Sequence, residues 1–462
     1  MVKFRIETDS LGEIKVPSDK LWGAQTQRSI QNFKIGVGKF HFQKTFIRAL
    51  AYQKKAAAIT NGQLKLLNKK QVNAIMKVCN DILSGKMDDH FPLVVWQTGS
   101  GTQINMNFNE VIANKANQIL GYKLPSNNPL HPNDHINKSQ SSNDTIPTAM
   151  HIAAVIALQE DLLLELNFFK NSLKKKIKEF KGIIKIGRTH TQDATPLKLS
   201  DEFSSYLSQL NYAEKIINRC FDKLYEVAQG GTAVGTGINA PKNFSNKFAI
   251  NLKKLTKKPF KPSSNKFESL ASHDVFIEVM AALEILSSTL FKLANDIRVL
   301  SSGPRSGISE LILPANEPGS SIMPGKINPT QCEALSMVCA NIIGLKTSVT
   351  FACTQGHFQL NVYKPLIIHN TLDAISLLSE AMKSFRLNCL NGIKVNKNKI
   401  RELLNNSLML VTPLTKVIGY DLASKVALNA YNKNISLKKS CLEITKISSK
   451  DFDKLIDPKK MV

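Results

Sequence analysis

Apolar residues recur every three or four positions through the middle of this chain. Phe276, Val279, Leu283, Leu286, Leu290, Leu293, Ile297 and Leu300 form a heptad stripe. The stripe predicts one long helix, ended by Ser302-Gly303-Pro304. A second stripe runs through Ile152, Val155, Leu162, Leu166, Phe169, Leu173, Ile177 and Phe180, and Gly182 closes it. A third helix is expected after Asn328, with Asn328 as N-cap, Pro329 at the first helical position and Gln331 completing a capping box. Strand-like alternation of polar and apolar residues is scarce. The fold class read from this pattern is all-α, a bundle of long, near-parallel or antiparallel helices. Residues 1–138 form an N-terminal part of shorter helices, 139–393 the long-helix bundle, and 394–462 a small, Lys-rich C-terminal part. A heptad seam of this length must be covered, within the chain or between subunits, so a homo-oligomer is expected.

Composition changes the picture little. At 462 residues the chain exceeds one ordinary core, which fits two or three domains. The hydrophobic fraction of 43% and charged fraction of 21% are those of a folded soluble protein. The net charge of +25 is unusual. Its lysines are scattered beside Asn and Ile, as in residues 394–400, and form no basic stripe with interleaved aromatics, so a nucleic-acid partner is not expected. The charge does suit attraction of an anionic substrate. The 7 cysteines stand far apart with no Cys-x-x-Cys, which argues against a metal centre and against a disulfide framework. The N-terminal stretch has no apolar run of the signal-peptide kind, and no stretch reaches the ~20 uncharged apolar residues of a membrane span. The expected location is the cytoplasm, with no membrane partner.

Four segments rich in small polar residues draw attention. They are 98–103, ahead of a helix expected at 107–120; 139–144, ahead of a helix opening near Pro147; 187–193, ahead of a helix near Pro196; and 319–328, ahead of the Pro329 helix. Helix N-termini present free N–H groups and partial positive charge, so they hold anions. Any one such segment is ordinarily just a capped loop. Four together, one with a Lys and one with a His, fit a small substrate with two carboxylates. Gly235-Thr236-Gly237-Ile238-Asn239-Ala240 fits G-x-G-x-x-A, but no clear strand leads into it and Pro241 follows directly, so nucleotide binding is set aside.

At these segments the sequence resembles a known family. GSSIMPGKIN (319–328) resembles the signature of the fumarase/aspartase superfamily. TGSGTQINMNFNEVIAN (98–114), HPNDHINKSQSSND (131–144) and GRTHTQDATPL (187–197) resemble the iron-independent, class II fumarases. Aspartases are similar throughout but carry Gln where this chain has His190. The resemblance covers nearly the whole chain. It implies an all-helical, three-domain subunit and a tetramer around a core of long helices. It further implies active sites shared between chains, and no metal or other cofactor.

The resemblance also implies roles. Dehydrating malate removes a weakly acidic proton beside a carboxylate, then expels hydroxide, so the site needs a base, an acid and positive potential. Ser320 would be the base; a serine alkoxide needs positive surroundings, with Lys326 and the following helix N-terminus as candidates. His190 would act as acid through a bound water, and Glu333 of another subunit would orient it. Glu333 alone reads equally as an acid suited to a helix N-terminus. Lys326 and Asn328 would hold a substrate carboxylate, while Asn328 also reads as the N-cap. Ser100, Gly101, Thr102, Ser141, Ser142, Asn143, Thr189 and Ser321 would complete the pocket. His131, Asn133 and Asp134 resemble a second dicarboxylate site of the family. Relatives place an Arg three residues before that histidine, and here Asn128 stands there. The rival readings are an aspartate ammonia-lyase, a non-catalytic helical scaffold and a nucleic-acid binder.

Overall fold

The structure, a computed structural model, describes residues 3–462; Met1 and Val2, which open the N-terminal stretch, lie outside the described residues. Long helices dominate it, and the strands form short two-stranded pairings. The heptad stripe lies on the helix Asp274–Leu300, and its residues from Phe276 to Leu300 are all buried. The second stripe is carried by the helices Ser142–Ile156 and Leu163–Glu179, joined by a π-helical segment, Ala157–Leu162. The stripe is buried except at Ile177, which is half-buried.

The third helix is Thr330–Cys353, and its start differs from expectation. The Pro329 carbonyl accepts from the N–H groups of Cys332 and Glu333, so Pro329 stands at the cap. Asn328 does not cap: its Nδ2 donates to the Gly319 carbonyl at 2.6 Å. Gln331 does not close a capping box but accepts from Ser384. The Asn328 amide is spent on closing the preceding loop, and a helix can be capped by a backbone carbonyl alone. By length and composition this helix is long and apolar enough to cross a membrane. The count of uncharged residues missed that, because Glu333 and Lys346 divide the run.

The chain folds into two compact units. The first comprises residues 3–164, Lys215–Ile285 and Ala340–Leu378. Its N-terminus is a hairpin, Phe4–Asp9 with Gly12–Pro17, that the scarcity of alternation did not lead us to expect. Arg28 holds the hairpin turn through Asp9, and this ion pair keeps the Asp9 carboxyl below its usual range. The helix Lys69–Leu83 starts on a capping box between Asn68 and Gln71, and the helix Lys44–Gln63 packs against it. Glu110, on the helix Thr102–Ile119, is almost completely buried and receives the N–H groups of Gly23, Gln25 and Thr26.

The second unit comprises Glu165–Glu214, Leu286–Cys339 and Ser379–Val462. It contains a second hairpin, Ile184–Thr189 with Gln192–Lys198. Ile186 of that hairpin is buried in one apolar cluster with Leu404, Leu410, Leu414, Val426 and Phe452. The C-terminal helices thus clamp the root of the hairpin. Five apolar side chains of that size around Ile186, each buried at about 1.5–3 kcal/mol, make the root a rigid base.

Candidate functional site

Two of the four polar segments belong to the first unit. In 98–103 the backbone crosses another strand of chain so closely that a side chain at Gly99 would meet the Val362 carbonyl at 1.2 Å. The Lys364 N–H also donates to the Gly99 carbonyl, so the crossing is pinned. Gly101 is left-handed, at φ +76°, and the helix starts at once, at Thr102. The expected start at 107 was five residues late because no Ser, Thr, Asp or Asn caps this helix; a left-handed glycine does. Ser100 and Thr102 hydroxyls share a 2.9 Å hydrogen bond at that start.

In 139–144 the helix likewise starts earlier than Pro147, at Ser142. Ser141 Oγ accepts from the Asn143 N–H at 3.2 Å, and the Asp144 carboxylate takes the Ser141 N–H at 2.9 Å. This reciprocal cap fixes the start, and Pro147 is carried inside the helix with one rung missing. Asp144 is fully buried, and its other oxygen accepts from Gly230 and Thr232, each at 2.9 Å. Burial pushes its carboxyl up to about 6, against the pull of those N–H donors. Ser142 Oγ accepts from Asn105, and Asn143 Nδ2 donates to the Ala233 carbonyl. The segment is therefore held from both sides, with Asn143 turned toward 229–233.

The other two segments belong to the second unit. The helix expected near Pro196 begins at Leu199, and Pro196 itself lies on a strand; 187–193 is the end of a hairpin that the sequence reading did not anticipate. Thr189 pairs with Gln192, so His190 and Thr191 are the two turn residues. Both have positive φ, +54° and +61°. Two left-handed residues make the tight turn that matches strand twist, a position Asn and Gly favour. A His and a Thr there each store on the order of 1 kcal/mol of backbone strain, which the clamped root must hold. The segment misread as pre-helical because its Pro196 suits a helix start, while the strand signal is cut by a register slip between Ile186 and Arg188. Gly187 at that slip could not carry a side chain, since a Cβ would lie 2.5 Å from the Thr195 carbonyl. Arg188 and Lys185 both pair with the fully buried Glu310, at 2.9 and 3.1 Å, and Lys185 also reaches Glu202. His190 is exposed at the tip.

The loop 319–328 is closed by its own backbone. The Gly319 N–H donates to the Lys326 carbonyl at 2.9 Å, and a Cβ on Gly319 would meet that carbonyl oxygen at 2.3 Å. Between these ends Ser320 Oγ accepts from the N–H groups of Ile322, at 3.3 Å, and Met323, at 3.1 Å. Two N–H groups aimed at one hydroxyl oxygen would stabilise it as an oxyanion. Ser321 and Lys326 are exposed, as is Glu333 in the first turn of the Thr330–Cys353 helix. No group of three or more His, Cys, Asp or Glu side chains able to hold a metal ion occurs among the described residues.

His131, Asn133 and Asp134 lie on a turn of the first unit, where they flank a cavity of about 390 Å³ that His131 and Asn133 line. His131 Nδ1 accepts from the N–H groups of Asn133 and Asp134, and Asp134 Oδ2 lies 3.3 Å from it. Glu7, Asp9 and Glu110 line the same cavity. Sequence reasoning overlooked the buried polar residues behind 139–144, namely Lys54 and Asn105, and their half-buried partner Asn137. A lysine within Lys54-Lys55-Ala56-Ala57-Ala58 reads as an ordinary solvated helix face, and nothing in the local pattern marks it otherwise.

Residues 12–344 match the model of a lyase family, and residues 410–462 match that of the fumarase C C-terminus. A class II fumarate hydratase of Bradyrhizobium diazoefficiens is 52% identical over 99% of this chain and 96% of its own length. The mitochondrial fumarate hydratase of Saccharomyces cerevisiae is 54% identical over 99% and 94%. The crystal structure of the class II fumarase from Schistosoma mansoni superposes with a TM-score of 0.96 at 42% identity, covering 99% of both chains. Similarity at this level, over helices, hairpin and signature loop alike, leaves one assignment: the chain belongs to the class II fumarases, hydro-lyases of the fumarate hydratase family.

Proposed function

We propose that the protein catalyses the reversible hydration of fumarate to L-malate through a carbanion, by acid–base chemistry and without a metal. The observation that carries the reading is the full-length match to class II fumarate hydratases, with Ser320 and His190 both in place. Ser320 takes the C3 proton of malate, its oxyanion supported by the Ile322 and Met323 N–H groups and by Lys326. The charge left on carbon spreads onto the neighbouring carboxylate, which Lys326 and Asn328 hold. His190 delivers a proton through a water to the departing hydroxide, and Glu333 of another subunit orients it. Ser100, Gly101, Thr102, Ser141, Ser142, Asn143, Thr189 and Ser321 complete the dicarboxylate pocket. His131, Asn133 and Asp134 form a second dicarboxylate site, weakened by Asn128.

The same reading makes the protein a homotetramer of three-domain subunits, divided near 138 and 393. Support for assembly comes from the Thr330–Cys353 helix, only 22% of whose most apolar stretch is buried, with Met337, Ile343 and Phe351 exposed. In this reading those side chains meet partner subunits rather than lipid. Seven free, buried cysteines fit the reducing cytoplasm. The test is fumarate hydration by purified protein with a chelator present. Malate formation is expected. Activity that vanishes with chelator and returns with iron would sink the metal-free mechanism, and consumption of aspartate instead would favour the ammonia-lyase.

A further inference from the structure

The turn that delivers the segment 141–143 is built around a buried cation. Lys54, in the interior of the helix Lys44–Gln63, is 1% exposed. Its Nζ donates to Asn137 Oδ1 at 3.3 Å and to Gln140 Oε1 at 3.1 Å. No carboxylate lies within ion-pair distance of it among the described residues. The nearest acid that influences it is Asp144, whose two oxygens are already engaged by the N–H groups of Ser141, Gly230 and Thr232. A buried ammonium without a counter-ion is costly to keep, and burial pulls the Lys54 amine down to about 7, so its charged form near neutrality depends on what lies around it. The cost falls when an anion binds nearby, and the stretch that follows its partner Gln140 in the chain is the one assigned to a substrate carboxylate. Asn137 Oδ1 also accepts from Asn105 Nδ2 at 3.2 Å, and the same amide donates to Ser142 Oγ at 3.1 Å. Gln140 is further held by Gln53, and its carbonyl accepts from Asn137 Nδ2. The ammonium thus turns two amide oxygens inward and sets the backbone that leads into Ser141.

We infer that Lys54 is a positioning residue of the substrate site: its charge organises the turn at 137–140 and lends positive potential to Ser141, Ser142 and Asn143 without touching substrate. This rests on the reading of 141–143 as a dicarboxylate contact. The experiment compares the full-length wild type with Lys54→Gln and Lys54→Arg. It measures steady-state fumarate hydration, calorimetric binding of succinate and thermal midpoint. Lys54→Gln, which keeps hydrogen bonding and loses charge, should raise KM and the succinate Kd about 10-fold while kcat stays within about 3-fold. Lys54→Arg should recover most of that loss. A natively folded Lys54→Gln protein with unchanged KM and Kd overturns the inference. So does a Gln variant indistinguishable from the Arg variant. Should the Lys54 variants fail to fold, Asn137→Ala, which cuts the link to Asn105 and Ser142, should give the same KM-selective loss; an unchanged KM there overturns the inference as well. A wild type that binds succinate but does not hydrate fumarate sinks the assigned reaction, and the comparison of Kd values still decides the role of Lys54. A wild type that binds neither sinks both.

Discussion

The two units carry site segments of opposite build. In the first unit, 139–144 is woven into a buried polar network, with Asp144 accepting three backbone N–H groups and Asn143 tied to Ala233. In the second, the groups we propose to move protons are less enclosed: His190 is exposed at a turn tip, Ser320 is half-buried in a loop closed by its own ends, and Lys326 and Glu333 are exposed. One half is preorganised by its own fold. The other has its proposed catalytic groups on segments fixed at the base, and on our reading it is completed by other copies of the chain. Binding a rigid dicarboxylate calls for the first kind of construction. Proton transfer to a substrate that must enter and leave suits the second.

The sharpest way to break this contrast is to disable the open half. Ser320→Ala should lower kcat by roughly 10³-fold while moving the thermal midpoint little, because a half-buried loop hydroxyl whose two N–H partners remain open to water contributes little to folding. His190→Asn should do likewise. If sites are shared, mixing the two inactive proteins under conditions of subunit exchange should restore part of the wild-type rate. Exchange shown by labelled subunits, with no return of activity, would mean each site is built within one chain.

Disabling the buried half should behave differently. Asp144→Ala strands three backbone N–H groups around a fully buried side chain, a loss of about 3 kcal/mol of stability, with weaker fumarate binding in the surviving folded protein. Denaturant unfolding would measure it. A midpoint equal to wild type would show that the network is ornamental to the fold.

The smallest effect expected is a pH dependence confined to the first unit. Burial holds the His151 ring down at about 4, far below its ordinary 6.5, and His273 is also pushed well down by burial. The folded chain therefore keeps these rings neutral, while the unfolded chain takes up protons below pH 6.5. Stability is unaffected above that pH and falls as pH drops from 6.5 toward 4, by at most about 3 kcal/mol for His151. His151→Asn should flatten part of that decline in unfolding curves, and an unchanged slope would mean His151 is not the source.

The helical fold was legible because its period is written in large apolar side chains. The stripe from Phe276 to Leu300 is buried throughout. What escaped were features whose cause is not local. The helix after Gly101 starts on a left-handed glycine rather than a capping side chain, and the strand around Gly187 is broken in register. Asn328 looks like a cap, yet its amide closes a loop to a carbonyl nine residues earlier. The resemblance to a family supplied candidate site residues, but not the residues behind them. Lys54 is invisible in sequence because burial of a lysine is decided by the Asn137–Gln140 turn, some eighty residues away.

The turn at His190 and Thr191 sets a limit on how this sequence can drift. Asparagine and glycine would relax both backbone angles, so every change that makes the hairpin easier to fold at those two positions removes the imidazole from its tip. With His190 as the proposed acid, selection for expression or robustness and selection for turnover pull in opposite directions at one dipeptide. A lineage that no longer needed the reaction would be expected to lose that histidine early, while the glycines at 99, 187 and 319, which answer to backbone crowding alone, stayed in place.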